Sequence, residues 1–221
     1  MSDRLIQDQI AYYRRRAPEY DSTSIPVGDP FDADTERIRT HLRAFGPSGR
    51  VLELACGTGQ WTGLLAGYAD ELTAVDASPE MLQLNAGKLG DPRVRYITAD
   101  LFAFQPGARY DSVFFGFWLS HVPPDRFAAF WQLVRASLAP DGRVFFVDEA
   151  VHGLWDEDWI DRDRGVVRRR LLDGSVHHVV KALWRPLQLQ ERLAGLGWDL
   201  EVQGVGPFYW GEGRSVVANV T

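Results

Sequence analysis

The sequence predicts an α/β protein in three layers, with a mostly parallel seven-stranded sheet between two layers of helices. Short apolar runs alternate with helix-like patterns between Val51 and Asp148, which is the order of strand-helix-strand units in parallel sheets. The chain has 221 residues, 45% of them hydrophobic, enough for one substantial core. We therefore expect a single domain over residues 1–221.

Each predicted element follows from the periodicity of its apolar residues. Two helices, forming a cover, are expected before the first strand, at 3–22 and 31–45. Five parallel strands are expected at 51–54, 72–75, 94–98, 112–117 and 143–148. The intervening helices are expected at 60–68, 79–88 and 125–138. A helix at 187–196 and closing strands near 198–203 and 215–220 complete the prediction.

Residues 150–182 interrupt the alternation and predict a lid over the sheet edge. The stretch 150–165 is dense in charged residues. We expect a hairpin after it, because Asp173-Gly174 is a dipeptide favoured in two-residue turns. Such a turn would pair Arg170 with His177. It would also sort the basic side chains onto two faces, Arg168, Arg170, His177 and Lys181 on one, Arg169 and His178 on the other.

Composition restricts the partners of the chain. The net charge of -6 opposes capture of nucleic acid, which needs a basic surface, and favours a small-molecule substrate. The single cysteine, Cys56, excludes an intrachain disulfide framework, and we expect no metal site. No apolar run is long enough to cross a bilayer. We expect a cytoplasmic protein that contacts no membrane, as a monomer or homodimer.

The segment from Val51 to Trp61 carries the strongest functional signal. A buried strand leads into a turn with Gly57 and Gly59 and then into a helix. Glycines permit unusual backbone angles and close approach of a ligand, and the helix start offers unpaired N–H groups. By itself the turn is shared by many nucleotide-binding folds, or simply connects two elements.

Two carboxylates make the prediction of a bound nucleoside more specific. Asp76 ends the second strand about 20 residues beyond the glycines, a spacing that places a carboxylate on a ribose diol. Asp100 follows the third strand. Parallel strands open onto one edge, so these side chains should converge on one nucleoside. A dinucleotide is the competing ligand, but the third glycine of that fingerprint is missing, with Trp61 and Thr62 in its place.

Glu53, Gly57 and Gly59 match the acidic-x-x-x-Gly-x-Gly motif of class I S-adenosylmethionine (SAM) dependent methyltransferases, which the chain resembles over nearly its whole length. The resemblance implies a Rossmann-like fold, with SAM as cofactor and S-adenosylhomocysteine (SAH) as product. It implies that Glu53 approaches the amino-acid end, that Asp76 binds the ribose and that Asp100 binds adenine. The other cofactor contacts that it implies are Tyr13, Tyr20, Ala55, Trp61, Ala77, Met81, Leu101, Phe102 and Phe117.

Other segments of the chain point to a narrower group within this family. They resemble those of small bacterial natural-product O-methyltransferases, a group that includes an enzyme that esterifies phosphonates. The matching segments are 12–13 with Ala17, Tyr20 and Asp21, then 117–121, and then 167–169 with 173–174 and 180–181. The resemblance is weaker over 150–165, where substrate contacts would vary. Fold and reaction are therefore better indicated than the substrate.

Methyl transfer from a sulfonium is an in-line displacement, which requires alignment more than a base. A neutral hydroxyl acceptor would need a base, for which His121 is the candidate, although it could instead stabilise the following turn. A carboxylate or phosphonate would need only cations, for which Arg168, Arg169 and Lys181 are candidates, with Trp118 as a pocket wall. The basic cluster could also be a solvated strand.

Other acceptors and other classes stay open at this point. The acceptor atom could belong to a neutral hydroxyl, an amine or a carbon, and a non-catalytic SAM-binding protein would share the cofactor residues. Methylation of nucleic-acid bases is disfavoured, because Phe117-Trp118-Leu119-Ser120 stands where such enzymes carry Asn/Asp-Pro-Pro-Tyr.

Overall fold

A computed structural model describes residues 2–24, 30–151 and 157–216. The strands are β1 (Arg50–Leu54), β2 (Glu71–Asp76), β3 (Val94–Thr98), β4 (Tyr110–Gly116), β5 (Leu138–Glu149), β6 (Trp159–Asp161), β7 (Val166–Arg170), β8 (Val176–Val180), β9 (Trp198–Val205) and β10 (Phe208–Ser215). The helices are α1 (Ser2–Arg16), α2 (Tyr20–Ser24), α3 (Asp32–Phe45), α4 (Thr62–Ala66), α5 (Pro79–Leu89), α6 (Phe127–Ser137) and α7 (Pro186–Ala194).

The main sheet has seven strands in the order β3-β2-β1-β4-β5-β10-β9. Strands β1 to β5 pair in parallel, whereas β10 runs antiparallel to both β5 and β9. Strand order reverses between β1 and β4, and ligands of open α/β sheets bind beyond the carboxyl ends at such a point. The predicted α/β class and the mostly parallel seven-stranded sheet are confirmed.

The central strands are buried on both faces because helices cover both. Phe114 and Phe145 face the layer with α3 and α4, while the neighbouring Phe115 and Phe146 face the layer with α6 and α7. The rings of Phe115 and Phe146 stack with centroids 5.3 Å apart. Such stacking across neighbouring strands gives the sheet a rigid centre from which the site residues extend.

The lid is a small antiparallel sheet in the order β6-β7-β8 that packs on α1. The predicted hairpin exists, but its predicted register is wrong: Arg169, not Arg170, pairs with His177. The reason is the turn, in which Leu171 N–H donates to Ser175 O, leaving three residues in the loop, with Gly174 at φ +82°. This one-residue shift places Arg169, instead of Arg168 and Arg170, on the same face as His177 and Lys181.

The last strand also differs from the prediction. It begins at Phe208, directly after the Gly206-Pro207 turn, and most of the predicted strand 215–220 lies outside the described residues. Gly211 lies within β10 because the ring of Phe146 occupies the space that a side chain would fill. No helix among the described residues is long and apolar enough to span a membrane.

Candidate active site

The two glycines of the turn after β1 have different neighbours. Gly57 has φ +51°, and a Cβ added there would meet nothing within 4 Å, so its backbone faces open space. Gly59 has φ +91°, and an added Cβ would lie 2.5 Å from Oδ1 of Asn85, a buried residue of α5. Gly57 therefore leaves room for a ligand, whereas Gly59 allows the turn to pack on α5.

Asp76 and Asp100 lie side by side at the carboxyl ends of β2 and β3. The Asp76 carboxylate accepts hydrogen bonds from the backbone N–H groups of Gly57 (2.9 Å) and Ser78 (2.8 Å). Burial raises the pKa of Asp76, and these N–H groups oppose the rise. Asp100 accepts from Phe102 N–H at 2.9 Å. Both carboxylates are thus fixed in orientation before any ligand arrives.

Two residues without the freedom of glycine adopt left-handed backbone angles beside these carboxylates. Ala55 (φ 54°) follows β1 and Phe117 (φ 53°) follows the adjacent β4. Strained conformations of this kind cost about 1–3 kcal/mol and concentrate at functional sites. Phe117 is held by its N–H bond to Val147 O (2.8 Å). The strain lies where two neighbouring strands open onto the site.

His121 sits between the cover and the lid. Its Nδ1 is 2.8 Å from Val180 O and its Nε2 is 2.8 Å from the Tyr13 hydroxyl. A carbonyl only accepts, so Nδ1 carries the proton and Nε2 accepts from Tyr13. Burial, aided by the nearby Lys181 charge, lowers the pKa of His121 to about 3. The imidazole is therefore neutral, with both nitrogens occupied.

Two adjoining cavities open beyond these strand ends. We call the one beside the glycine turn the inner cavity; its lining includes Tyr13, Tyr20, Ala55, Gly57, Asp76, Ala77, Met81, Asp100, Leu101, Phe102, Phe117, Trp118 and His121. The outer cavity, of about 490 Å³, shares Tyr13, Tyr20, Phe117 and His121 with it. That volume falls within the range of small-molecule sites.

The outer cavity has more basic than acidic side chains. Its basic residues are Arg16, Arg39, Arg169 and Lys181, and its acidic residues are Asp32 and Glu149. Lys181 is 5% exposed and pairs with Glu149. Arg169 makes a bidentate pair with Glu157, at 2.5 and 2.9 Å. The cations at this end are held in place by carboxylates and keep further donors for a ligand.

The cover is attached to the inner cavity by ion pairs. Asp21 of α2 accepts from the hydroxyl of Thr58 in the glycine turn (2.5 Å) and pairs with Lys88 of α5. Arg14 of α1 bonds Glu80 at the start of α5 (2.9 Å). These contacts hold the cover against the ligand-binding strand ends.

Comparison with known proteins decides the family. A family described as a methyltransferase domain matches residues 51–142. A solved structure of DhpI in complex with SAH is 43% identical, with a TM-score of 0.84, covering 96% of this chain and 97% of that one. A complex of DhpI with SAM and HEP is 42% identical at the same TM-score, covering 95% and 97%.

The chain belongs to the class I SAM-dependent methyltransferase family. A ubiquinone biosynthesis O-methyltransferase from Xanthomonas euvesicatoria pv. vesicatoria (strain 85-10) is 30% identical over 144 residues, 62% of this chain and 58% of that protein. The chain spans about half the length of the curated relatives it matches. The family uses SAM as methyl donor, and the carboxylates and the open face of Gly57 suit a nucleoside.

Not every predicted cofactor residue of this methyltransferase lines the inner cavity. Gly59 and Glu53 lie behind the turn, and Trp61 lines the outer cavity instead. Glu53 is 1% exposed, and burial raises its pKa to about 8, against a hydrogen bond from Thr62. Contact of these residues with the cofactor stays a prediction.

The corrected register moves one predicted acceptor ligand away from the site. Arg168 shares the outward face with His178 and bonds the exposed Asp158 at 2.7 Å. It does not belong to the lining of either cavity. Arg169, His177 and Lys181 instead share the inward face. The predicted contact between Arg168 and the acceptor therefore does not fit this geometry.

Sequence reasoning also missed residues that line the cavities. Gln9 of α1 links lid and cover, donating to His121 O (3.1 Å) and accepting from Val180 N–H (3.0 Å). Arg16 and Gln60 line the outer cavity. The only signal for Arg16 was its spacing of four residues from Tyr20, which places the two on one helical face.

Proposed function

We propose that this methyltransferase transfers the SAM methyl group to an oxygen of a small anionic metabolite, a carboxylate or phosphonate, in secondary metabolism. The observation that carries the proposal is that basic side chains outnumber acidic ones in the outer cavity, which adjoins the cavity lined by Asp76 and Asp100. Resemblance to natural-product O-methyltransferases supports the metabolic context. We propose that the acceptor binds through Arg169 and Lys181, with Trp118 as a wall.

The chain's residues would align and shield the reactants. Bound SAM supplies an electrophilic methyl on a sulfonium. Asp76 and Asp100 would hold the nucleoside by its hydroxyl and amino groups, and Tyr13 and Tyr20 would close over it. Lys181, nearly excluded from water, would hold the acceptor oxygen where a lone pair faces the methyl, since interactions with charge strengthen in a dry site.

An anionic acceptor also explains the state of His121. Methylation of a carboxylate or phosphonate oxygen requires no proton removal, and an imidazole with a pKa of about 3 is a weak base at neutral pH. We propose that His121 positions Tyr13 rather than accepting a proton from the acceptor. A neutral hydroxyl would need a stronger base than His121 provides here.

The test is methyl transfer to a defined panel of acceptors. Purified protein is incubated with SAM bearing a deuterated methyl and with small carboxylates, phosphonates, alcohols and amines, and products are identified by mass spectrometry. We expect labelled methyl esters from the acids. Labelled ethers or methylamines alone would contradict the anionic acceptor, and SAM binding with no product from any acceptor class would indicate a non-catalytic protein.

A further inference from the structure

Arg16 differs from the other cations of the outer cavity in its partners. Lys181 pairs with Glu149, Arg169 with Glu157, and Arg39 with Glu36 at 3.5 Å. Arg16 pairs with no carboxylate among residues 2–24, 30–151 and 157–216. In that part of the chain it is the cation of this cavity whose charge is not balanced by a direct partner.

The Arg16 guanidinium is nonetheless held in a defined position. Its Nη2 donates to the hydroxyls of Thr23 (3.1 Å) and Ser24 (2.9 Å), and its Cζ lies 4.7 Å from the ring centroid of Tyr20. All three partners are neutral, so they order the side chain without neutralising it. An ordered arginine with unbalanced charge suits planar oxyanions, because little side-chain entropy remains to be lost on binding.

A second donor in the same cavity lacks an acceptor. Nε2 of Gln60, in the turn that leads into α4, is buried and has no hydrogen-bond partner among the described residues. A buried donor without a partner is destabilising, and a bound acceptor would remove that cost. Gln60 and Arg16 both line the outer cavity.

We propose that Arg16, assisted by Gln60, forms an oxyanion subsite in the outer cavity, in addition to the contacts proposed for Arg169 and Lys181. The inference rests on the proposed SAM-dependent function and adds a ligand group to it. The group is a carboxylate or phosphonate, and two ligands could provide it: the amino-acid end of the cofactor, or the acceptor. Tyr20, which lies under Arg16, borders both cavities and is compatible with either source.

The test compares wild type with Arg16→Gln and Arg16→Lys by calorimetry, using SAH and methylthioadenosine, which lacks the amino-acid end. Methylphosphonate is then titrated into the SAH-loaded proteins. Arg15→Gln is the matched control, since Arg15 adjoins Arg16 but lies 61% exposed outside both cavities. Melting temperatures establish that each variant is folded.

The ligand whose oxyanion contacts Arg16 should bind roughly 10- to 100-fold more weakly to Arg16→Gln, because a charge-assisted contact is lost, and Arg16→Lys should recover part of the affinity. Weaker SAH with unchanged methylthioadenosine assigns the cofactor carboxylate. Unchanged SAH with weaker methylphosphonate assigns the acceptor. Equal affinities for folded wild type and Arg16→Gln in every titration would overturn the subsite, whereas a wild type that binds neither nucleoside would overturn the proposed function as well.

Discussion

The hydroxyl of Tyr13 donates to Nε2 of His121 across 2.8 Å, and this contact joins the cover helix to the strand end beside the lid. Because the Nδ1–H group already donates to Val180 O, a second proton would bind Nε2 and remove the acceptor of the Tyr13 hydroxyl. The contact therefore depends on a neutral imidazole. Burial favours that state by lowering the pKa of His121 to about 3.

The first prediction concerns stability against acid. The unfolded chain binds a proton on His121 below pH 6.5, whereas the folded chain resists it down to about pH 3. Protonation thus favours unfolding, and the stability supplied by neutral His121 is complete above pH 6.5 and is lost as the pH falls toward 3. We expect the melting temperature of wild type to fall more steeply between pH 6.5 and 4 than that of His121→Asn. Equal slopes would contradict the buried neutral imidazole.

The second prediction separates the two faces of the lid hairpin. Lys181→Gln removes a buried cation that lines the outer cavity and that we propose binds the acceptor, so the acceptor KM should rise on the order of tenfold or more, with SAH affinity nearly unchanged. Arg168→Gln is the control, since Arg168 faces outward, and its kinetics should match wild type. If Arg168→Gln raised KM as much as Lys181→Gln, the register that we describe would be wrong.

The third prediction contrasts the glycines of the turn. Gly59→Ala forces a Cβ into Asn85, so we expect a loss of about 1–3 kcal/mol in the free energy of unfolding, measured in urea. Gly57→Ala meets no atom, so it should cost less stability, about 1 kcal/mol for the left-handed backbone, but weaken SAH binding. The reverse order of stabilities would refute the packing role of Gly59.

The fourth prediction concerns retention of the cofactor by the cover. Asp21→Asn breaks the pair with Lys88 that holds α2 against the glycine turn, so SAH should dissociate several-fold faster by stopped-flow, with little change in melting temperature. Asp91→Asn weakens a pair with Arg93 in the turn after α5, outside both cavities, and should leave the dissociation rate unchanged. Identical rates in Asp21→Asn and wild type would show that α2 does not retain the cofactor.

The strands of the parallel sheet were predictable from sequence because their burial on both faces determines their residue pattern. Parallel strands buried on both faces give continuous apolar runs, so the limits of β3 agree, β1 begins one residue earlier than predicted, and β2 extends one residue further at each end. The shared position of Asp76 and Asp100 in one cavity followed as well, since both residues had to meet at the carboxyl edge of such strands. These features depend on local pattern and on topology.

The sequence-based predictions were wrong where tertiary contacts determine the register or the limits of a strand. Asp173-Gly174 is common to two- and three-residue turns, and a difference of one residue exchanged Arg168 for Arg169 at the cavity. Gly211 falls between the predicted strands 198–203 and 215–220, yet it lies in β10, where the ring of Phe146 fills its missing side-chain volume. That Arg16 pairs with no carboxylate in the described part of the chain could not be read from sequence, because it depends on which carboxylates lie next to the other cations.

The most direct test of cofactor binding at this site is calorimetric titration with SAH of wild type and of Asp76→Ala. We expect wild type to bind one SAH per chain, and the folded variant to bind on the order of 100-fold more weakly, because two hydroxyl bonds to a charged acceptor are lost. Equal affinity in the two folded proteins would contradict the ribose assignment of Asp76. Failure of folded wild type to bind SAH would contradict the account as a whole.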